Sequence, residues 1–280
     1  MHVFGQKWIL IGLLCSSLGA WAQTVVLPND LKVLPEAKES ATLPVNETLS
    51  TATTATPTIV APASVGPTPP LELTRPSMVS IDSINGADTA WMMTSTALVL
   101  MMTFPCIALF YGVMVRKKNV INAMASAVAI TALVSLLWFS VGYSIAFTPN
   151  NPWIGGSDRF WFEGLNYMKD AGKLSVSHIA PNVPESVYAM FQLTFAIITP
   201  ALIVGAFVER MHFTAMLWFI GLWSLLVYAP IAHWVWEPGG WLASMGVLDF
   251  AGGSVVHINA GVSGLVCAYI LGPRLGYKRE

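Results

Sequence analysis

Thr89 to Val115 reads TAWMMTSTALVLMMTFPCIALFYGVMV, 27 residues without a single Asp, Glu, Lys, Arg or His. As a helix this stretch rises about 40 Å, more than the roughly 30 Å hydrocarbon core of a bilayer. A strand reading fails, because apolar and polar residues do not alternate along it. Four more such stretches follow: Ile121 to Phe147, Tyr188 to Val208, Thr214 to Ala232, and Phe250 to Leu271, the last interrupted only by His257. In lipid every backbone N–H and C=O needs a partner within the segment, so each stretch is expected to be a helix. The expected fold class is all-α: a polytopic membrane protein with five transmembrane helices.

Composition agrees. Of the 280 residues, 55% are hydrophobic and only 10% charged, where a soluble protein carries about 25% charged residues. The formal net charge of −1 gives no reason to expect a nucleic-acid partner. Cys15, Cys106 and Cys267 sit in apolar runs, and no disulfide framework, metal cluster or cofactor motif is implied.

The chain before Asp88 has a different character. Lys7, the short apolar run Trp8 to Leu18 and Ala20-Trp21-Ala22 ahead of Gln23 read as a cleavable export signal over residues 1–22. An uncleaved anchor is the alternative, but the run is short for a full span. Residues 23–86 are rich in Thr, Ala, Pro, Ser and Val, with low-complexity runs such as Thr51-Ala52-Thr53-Thr54-Ala55-Thr56. Such a segment buries too little apolar surface to offset chain entropy, so a disordered extracytoplasmic arm is expected.

Basic residues set the orientation. Arg116-Lys117-Lys118 follow the first span, Arg210 the third, and Arg274, Lys278 and Arg279 the fifth. These ends are expected to be cytoplasmic. The segment from His233 to Asp249 carries no Lys or Arg and, with the long loop from Thr148 to Val187, belongs outside, as does the N-terminus.

Candidate functional residues follow from depth and charge. His257 lies about eight residues into its span, roughly 12 Å deep. An ionisable group at that depth marks a pathway by default, or else a hydrogen bond between packed helices. Gly253, Gly261 and Gly264 share its face, which suits either close helix packing or a groove along a conduit. Asp249 precedes the apolar run and from its position reads first as a helix N-cap, a role compatible with fixed negative charge at a cation entrance. The loop His233-Trp234-Val235-Trp236-Glu237-Pro238-Gly239-Gly240-Trp241 is dense in Trp. Its rings are interfacial anchors or a cation–π platform. Phe191 and Phe195, one turn apart, read as core residues when taken alone.

Gly246-Val247-Leu248-Asp249-Phe250-Ala251-Gly252-Gly253-Ser254-Val255-Val256-His257-Ile258-Asn259 closely resembles the signature of the ammonium transporter (Amt/Mep/Rh) family. The likeness continues in Ala108-Leu109-Phe110-Tyr111-Gly112, Phe191-Gln192-Leu193-Thr194-Phe195-Ala196, Gly205-Ala206-Phe207-Val208-Glu209-Arg210 and Tyr228-Ala229-Pro230-Ile231-Ala232-His233. It runs from about Asp88 to the C-terminus, making residues 87–280 the first half of a transporter domain.

The resemblance implies that Phe191 and Trp236 are the aromatic walls of an outer ammonium site, with Ala251 in the stretch bordering it. It implies that Asp249 shapes and polarises the entrance, that Phe195 is one of two stacked gating rings, and that His257 is the first of twin pore histidines. It implies transport of ammonium and ammonia rather than an enzyme activity. It also implies a homotrimer in the inner membrane of a bacterium and regulation by a PII-type signal protein.

Family members have about eleven spans, built from two inverted repeats of five and a final helix. Five spans are expected to equal the first repeat, so a truncated transporter unable to conduct alone is expected. The alternatives are a non-conducting membrane assembly protein and an Rh-like channel for a neutral gas.

Overall fold

The computed structural model describes residues 74–274 and 276–277. The expected signal and most of the expected arm lie outside the described residues. Among the described residues five helices are long and apolar enough to cross a membrane: α1 (Gly86–Met114), α2 (Lys117–Phe147), α3 (Glu185–Phe207), α4 (Phe213–Ser244) and α5 (Gly253–Leu271). α3 is the central one: 67% of its most apolar window is buried, against 17% for α1. α1, α2 and α5 pack around it.

The helices are not uniform. In α1 Phe104 leaves helical geometry (φ −134°, ψ 107°) just before Pro105, which lacks the N–H that would continue the ladder. In α4 the helix proper ends at Trp236, Glu237 caps it, and a short last turn spans Trp241–Ser244. Close approach of α1 to α3 depends on Gly205. A Cβ there would run into the Tyr111 ring, whose hydroxyl donates to the Leu202 carbonyl at 2.6 Å.

A three-stranded antiparallel sheet accompanies the helices: β1 (Ser77–Ser80), β2 (Tyr167–Met168) and β3 (Lys173–Val176), in the order β1-β3-β2. Ser77 pairs with Val176 and Ser80 with Lys173. The last part of the expected arm is therefore ordered, because its backbone groups find partners in the loop between α2 and α3. The Asn85 N–H also donates to Asn182 O at 2.9 Å, and the Asn85 side chain caps α1. At this same end Arg159 grips the fully buried Glu185 with two hydrogen bonds, of 2.8 and 3.1 Å.

At the opposite end one carboxylate joins three connections. Glu209 Oε1 accepts from the Arg116 backbone N–H (3.0 Å), Arg116 Nε (3.2 Å) and Asn119 Nδ2 (2.8 Å), while Oε2 accepts from Arg274 Nη1 (2.9 Å). The basic turns assigned to one side of the membrane thus share one end of the bundle.

Burial raises the Glu209 carboxyl, but hydrogen bonds from Arg274, Asn119 and Arg116 outweigh it and hold the group down to about 2, against an ordinary 4.5. Since the folded value lies below the unfolded one, the stabilisation is complete above about 4.5 and is lost as pH falls toward 2. Glu209→Ala is expected to cost about 1–3 kcal/mol at neutral pH. Thermal melts of the purified protein check this: the gap from wild type should narrow as pH falls through that window.

The expected start of the fifth span is corrected. α5 begins at Gly253, not Phe250. Gly252 adopts left-handed geometry (φ 83°, ψ 26°), and the chain before it is not helical. His257 is therefore the fifth residue of α5, about 6 Å along its axis rather than about 12 Å.

Candidate functional site

Asp249 organises the start of α5. Its Oδ1 accepts from the N–H groups of Gly252 (2.6 Å) and Gly253 (2.8 Å). Its Oδ2 accepts from the N–H groups of Ser254 (2.8 Å) and Val255 (3.0 Å) and from Ser254 Oγ (2.6 Å). These N–H groups are the ones a helix start leaves without intrahelical partners. Burial raises the Asp249 carboxyl, but the Ser254 hydroxyl and the backbone N–H groups outweigh it and lower it below the usual carboxylate range. The two readings of Asp249 merge: it caps the helix and stays negative while doing so. Gly252 permits the wrap, since a Cβ at its positive φ would press on the Val256 side chain at 2.7 Å.

Three of the candidate aromatic rings meet beside this turn. Phe191 and Phe195 sit edge to face with centroids 5.0 Å apart, and Phe195 meets Trp236 at 5.8 Å. Trp236 Nε1 donates to the Asp249 carbonyl at 2.9 Å, and its ring lies nearly parallel to Phe147 at 6.4 Å. All three rings are half-buried, so each keeps open surface. Ala251 lies exposed in the turn between Asp249 and Gly252. The Trp-rich segment expected as a loop is helical through Trp236 and divides by contact: Trp234 and Trp241 cluster with Trp153, and Trp234 Nε1 donates to the Trp153 carbonyl, while Trp236 alone joins the phenylalanines.

His257 is exposed on the face of α5 that carries Gly253 and Gly261, where a Cβ would meet nothing within 4 Å. Gly264 differs: its Cβ would touch Ala206 of α3 at 3.6 Å. The small-residue stripe is thus an open groove beside the imidazole and a helix contact further along.

The Ammonium Transporter Family model matches residues 90–280. The chain belongs to the ammonium transporter family. The ammonium transporter of Bacillus subtilis is 48% identical over 187 residues, covering 67% of this chain and 44% of that protein. The ammonium transporter of Aquifex aeolicus is 48% identical over 192 residues, covering 68% and 43%. Among solved structures, Candida albicans Mep2 superposes with a TM-score of 0.62 at 32% identity, covering 70% of this chain and 42% of that one. The chain therefore spans less than half the length of these relatives, and its five helices are those of a multi-pass membrane protein of the ammonium transporter fold. The relatives are transporters, not enzymes.

Sequence reasoning missed part of what supports this aromatic cluster. Phe147, which stacks on Trp236, read only as the end of a span. His233 read as one polar residue in a Trp-rich loop, yet it is fully buried, with Nδ1 3.1 Å from Ala146 O and Nε2 2.8 Å from Asn151 O. It pins α4 to the end of α2. A histidine one turn before Trp236, within an otherwise apolar segment, was the available signal.

Proposed function

We propose that the protein carries ammonium nitrogen across the inner membrane of a bacterium, with its N-terminus and aromatic site outside. The observation that carries this reading is the continuity of Phe191, Phe195 and Trp236 with the Asp249 turn, from which α5 and the exposed His257 descend. Moving an ion into hydrocarbon without partners is very costly. The faces of Phe191 and Trp236 return about 0.5–2 kcal/mol each to a bound ammonium ion. The negative Asp249 and the stretch around Ala251 favour a cation at that point. Transfer of a proton to water at the outer face then yields neutral ammonia, which passes Phe195 into the apolar section. There the His257 imidazole donates or accepts a hydrogen bond. Potassium has no proton to give up and is left behind.

An imidazole on an otherwise apolar helix face is poorly suited to lipid. This supports the reading that the groove of α5 is one wall of the path and that further protein supplies the other. A homotrimer and a PII-type cytoplasmic partner rest on the resemblance to the family alone.

His257→Ala tests the scheme in cells that lack other ammonium transporters and express this chain together with the unmatched part of the Bacillus subtilis relative. The variant is expected to lose about tenfold in methylammonium uptake or to let potassium compete with it. Wild-type rate and selectivity would remove His257 from the path.

A further inference from the structure

The turn between β3 and α3 carries His178, and its side chain is 2% exposed. Its Nε2 lies 2.8 Å from Glu237 Oε1, on a side chain 4% exposed. Glu237 follows Trp236 directly and caps α4, its N–H donating to the His233 carbonyl at 3.2 Å. On the other side, the chain continuing from His178 reaches Phe191: Ile179, Asn182, Val183 and Phe191 border one cavity of about 410 Å³. The remaining bonds of this turn are local or run to Asn85: Ile179 N to Ser177 Oγ, Ala180 N to Ser177 O, Val183 N to Ala180 O, and Asn85 N to Asn182 O. Among the described residues no other hydrogen bond joins the turn to α4.

We propose that His178 and Glu237 are a pair of positioning residues that set the spacing between the Phe191 and Trp236 walls of the outer cation site. The inference rests on the reading of those rings as the site. The pair is a poor device for stability alone. Glu237 Oε2 and His178 Nδ1 are both buried without a partner, and a half-satisfied buried polar pair is worth less than apolar packing in its place. What the bond supplies is geometry. It fixes the support of one wall to the residue that follows the other. The attraction between a cation and a ring falls away beyond about 6 Å from the centroid, so a looser gap weakens capture. Passage of ammonia beyond the site does not depend on that gap.

The test uses methylammonium uptake by cells that lack other ammonium transporters and express this chain together with the unmatched part of the Bacillus subtilis relative, with hydrogen–deuterium exchange of residues 177–183 in protein purified from them. His178→Ala is expected to raise KM about fivefold with the maximal rate within about twofold of wild type, and to speed exchange across the turn. His178→Gln, whose amide nitrogen takes the place of Nε2, is expected to restore both to within about twofold of wild type. Should His178→Ala not reach the membrane, His178→Asn, one methylene shorter than Gln, is judged by the same criteria. An unchanged KM in a transporting variant overturns the proposal. So does a loss of maximal rate that matches the rise in KM, or a Gln variant as impaired as Ala. A wild type without uptake contradicts the transport reading itself, and the positioning role falls with it.

Discussion

Asp249→Ala is expected to abolish uptake and to destabilise the start of α5. The substitution removes every acceptor for four backbone N–H groups and for the Ser254 hydroxyl. A hydrogen bond to a charged acceptor contributes about 1.5–3 kcal/mol. The bonds are not additive, and some of the freed groups regain water, so a total loss of about 3–5 kcal/mol is the expectation. Against a typical stability of about 5–15 kcal/mol this is a large share.

Asp249→Asn does not separate capping from charge. Its amide group presents N–H to at least one pair of donors, so half the cap is lost with the charge. The asparagine variant is expected to melt between wild type and Asp249→Ala, with uptake reduced in step. Thermal melts and uptake on the same preparations check this. Full uptake by Asp249→Asn would show that neither the charge nor the second oxygen is needed.

Phe191→Leu with Trp236→Leu is expected to raise the KM for methylammonium at least about fivefold. Leucine keeps apolar volume but has no ring face. Two lost cation–π contacts of about 0.5–2 kcal/mol each correspond to roughly fivefold to several-hundredfold in binding. Trp236→Leu also frees the Asp249 carbonyl from its 2.9 Å hydrogen bond. For that reason Trp236→Phe, which keeps a face but loses the donor, belongs beside it. Near-normal KM in Trp236→Phe and a high KM in the double leucine variant would assign the effect to the ring faces. Equal impairment in both would assign it to the hold on the Asp249 turn.

The five spans were legible because the physics of a bilayer leaves little choice. Thr89 to Val115 without charge is a helix in lipid, and the basic turns at Arg116, Arg210 and Arg274 place their ends together. The Glu209 hub that joins them was not legible, because a single acid beside a basic residue gives no sign of partners 65 and 93 positions away along the chain. The start of α5 was misjudged for a related reason. Phe250-Ala251 is apolar, so it read as helix, but the Asp249 side chain captures the next N–H groups and holds the turn open until Gly253. Phe191 and Phe195 carried no signal of their own, since an aromatic pair one turn apart is ordinarily core. Only the family resemblance lifted them to site residues. His178 and Glu237 were invisible for the same reason as Glu209: their meeting is a product of the fold, 59 positions apart along the chain.

The open His257 groove is proposed to be one wall of a path that further helices close. The direct measurement is radiolabelled methylammonium uptake into proteoliposomes. One set holds this 280-residue chain alone, and a second holds it with the unmatched part of the Bacillus subtilis relative, insertion being verified in both. The account predicts uptake at the empty-liposome level for the chain alone, and saturable uptake competed by ammonium for the pair. Saturable uptake by the chain alone would contradict it.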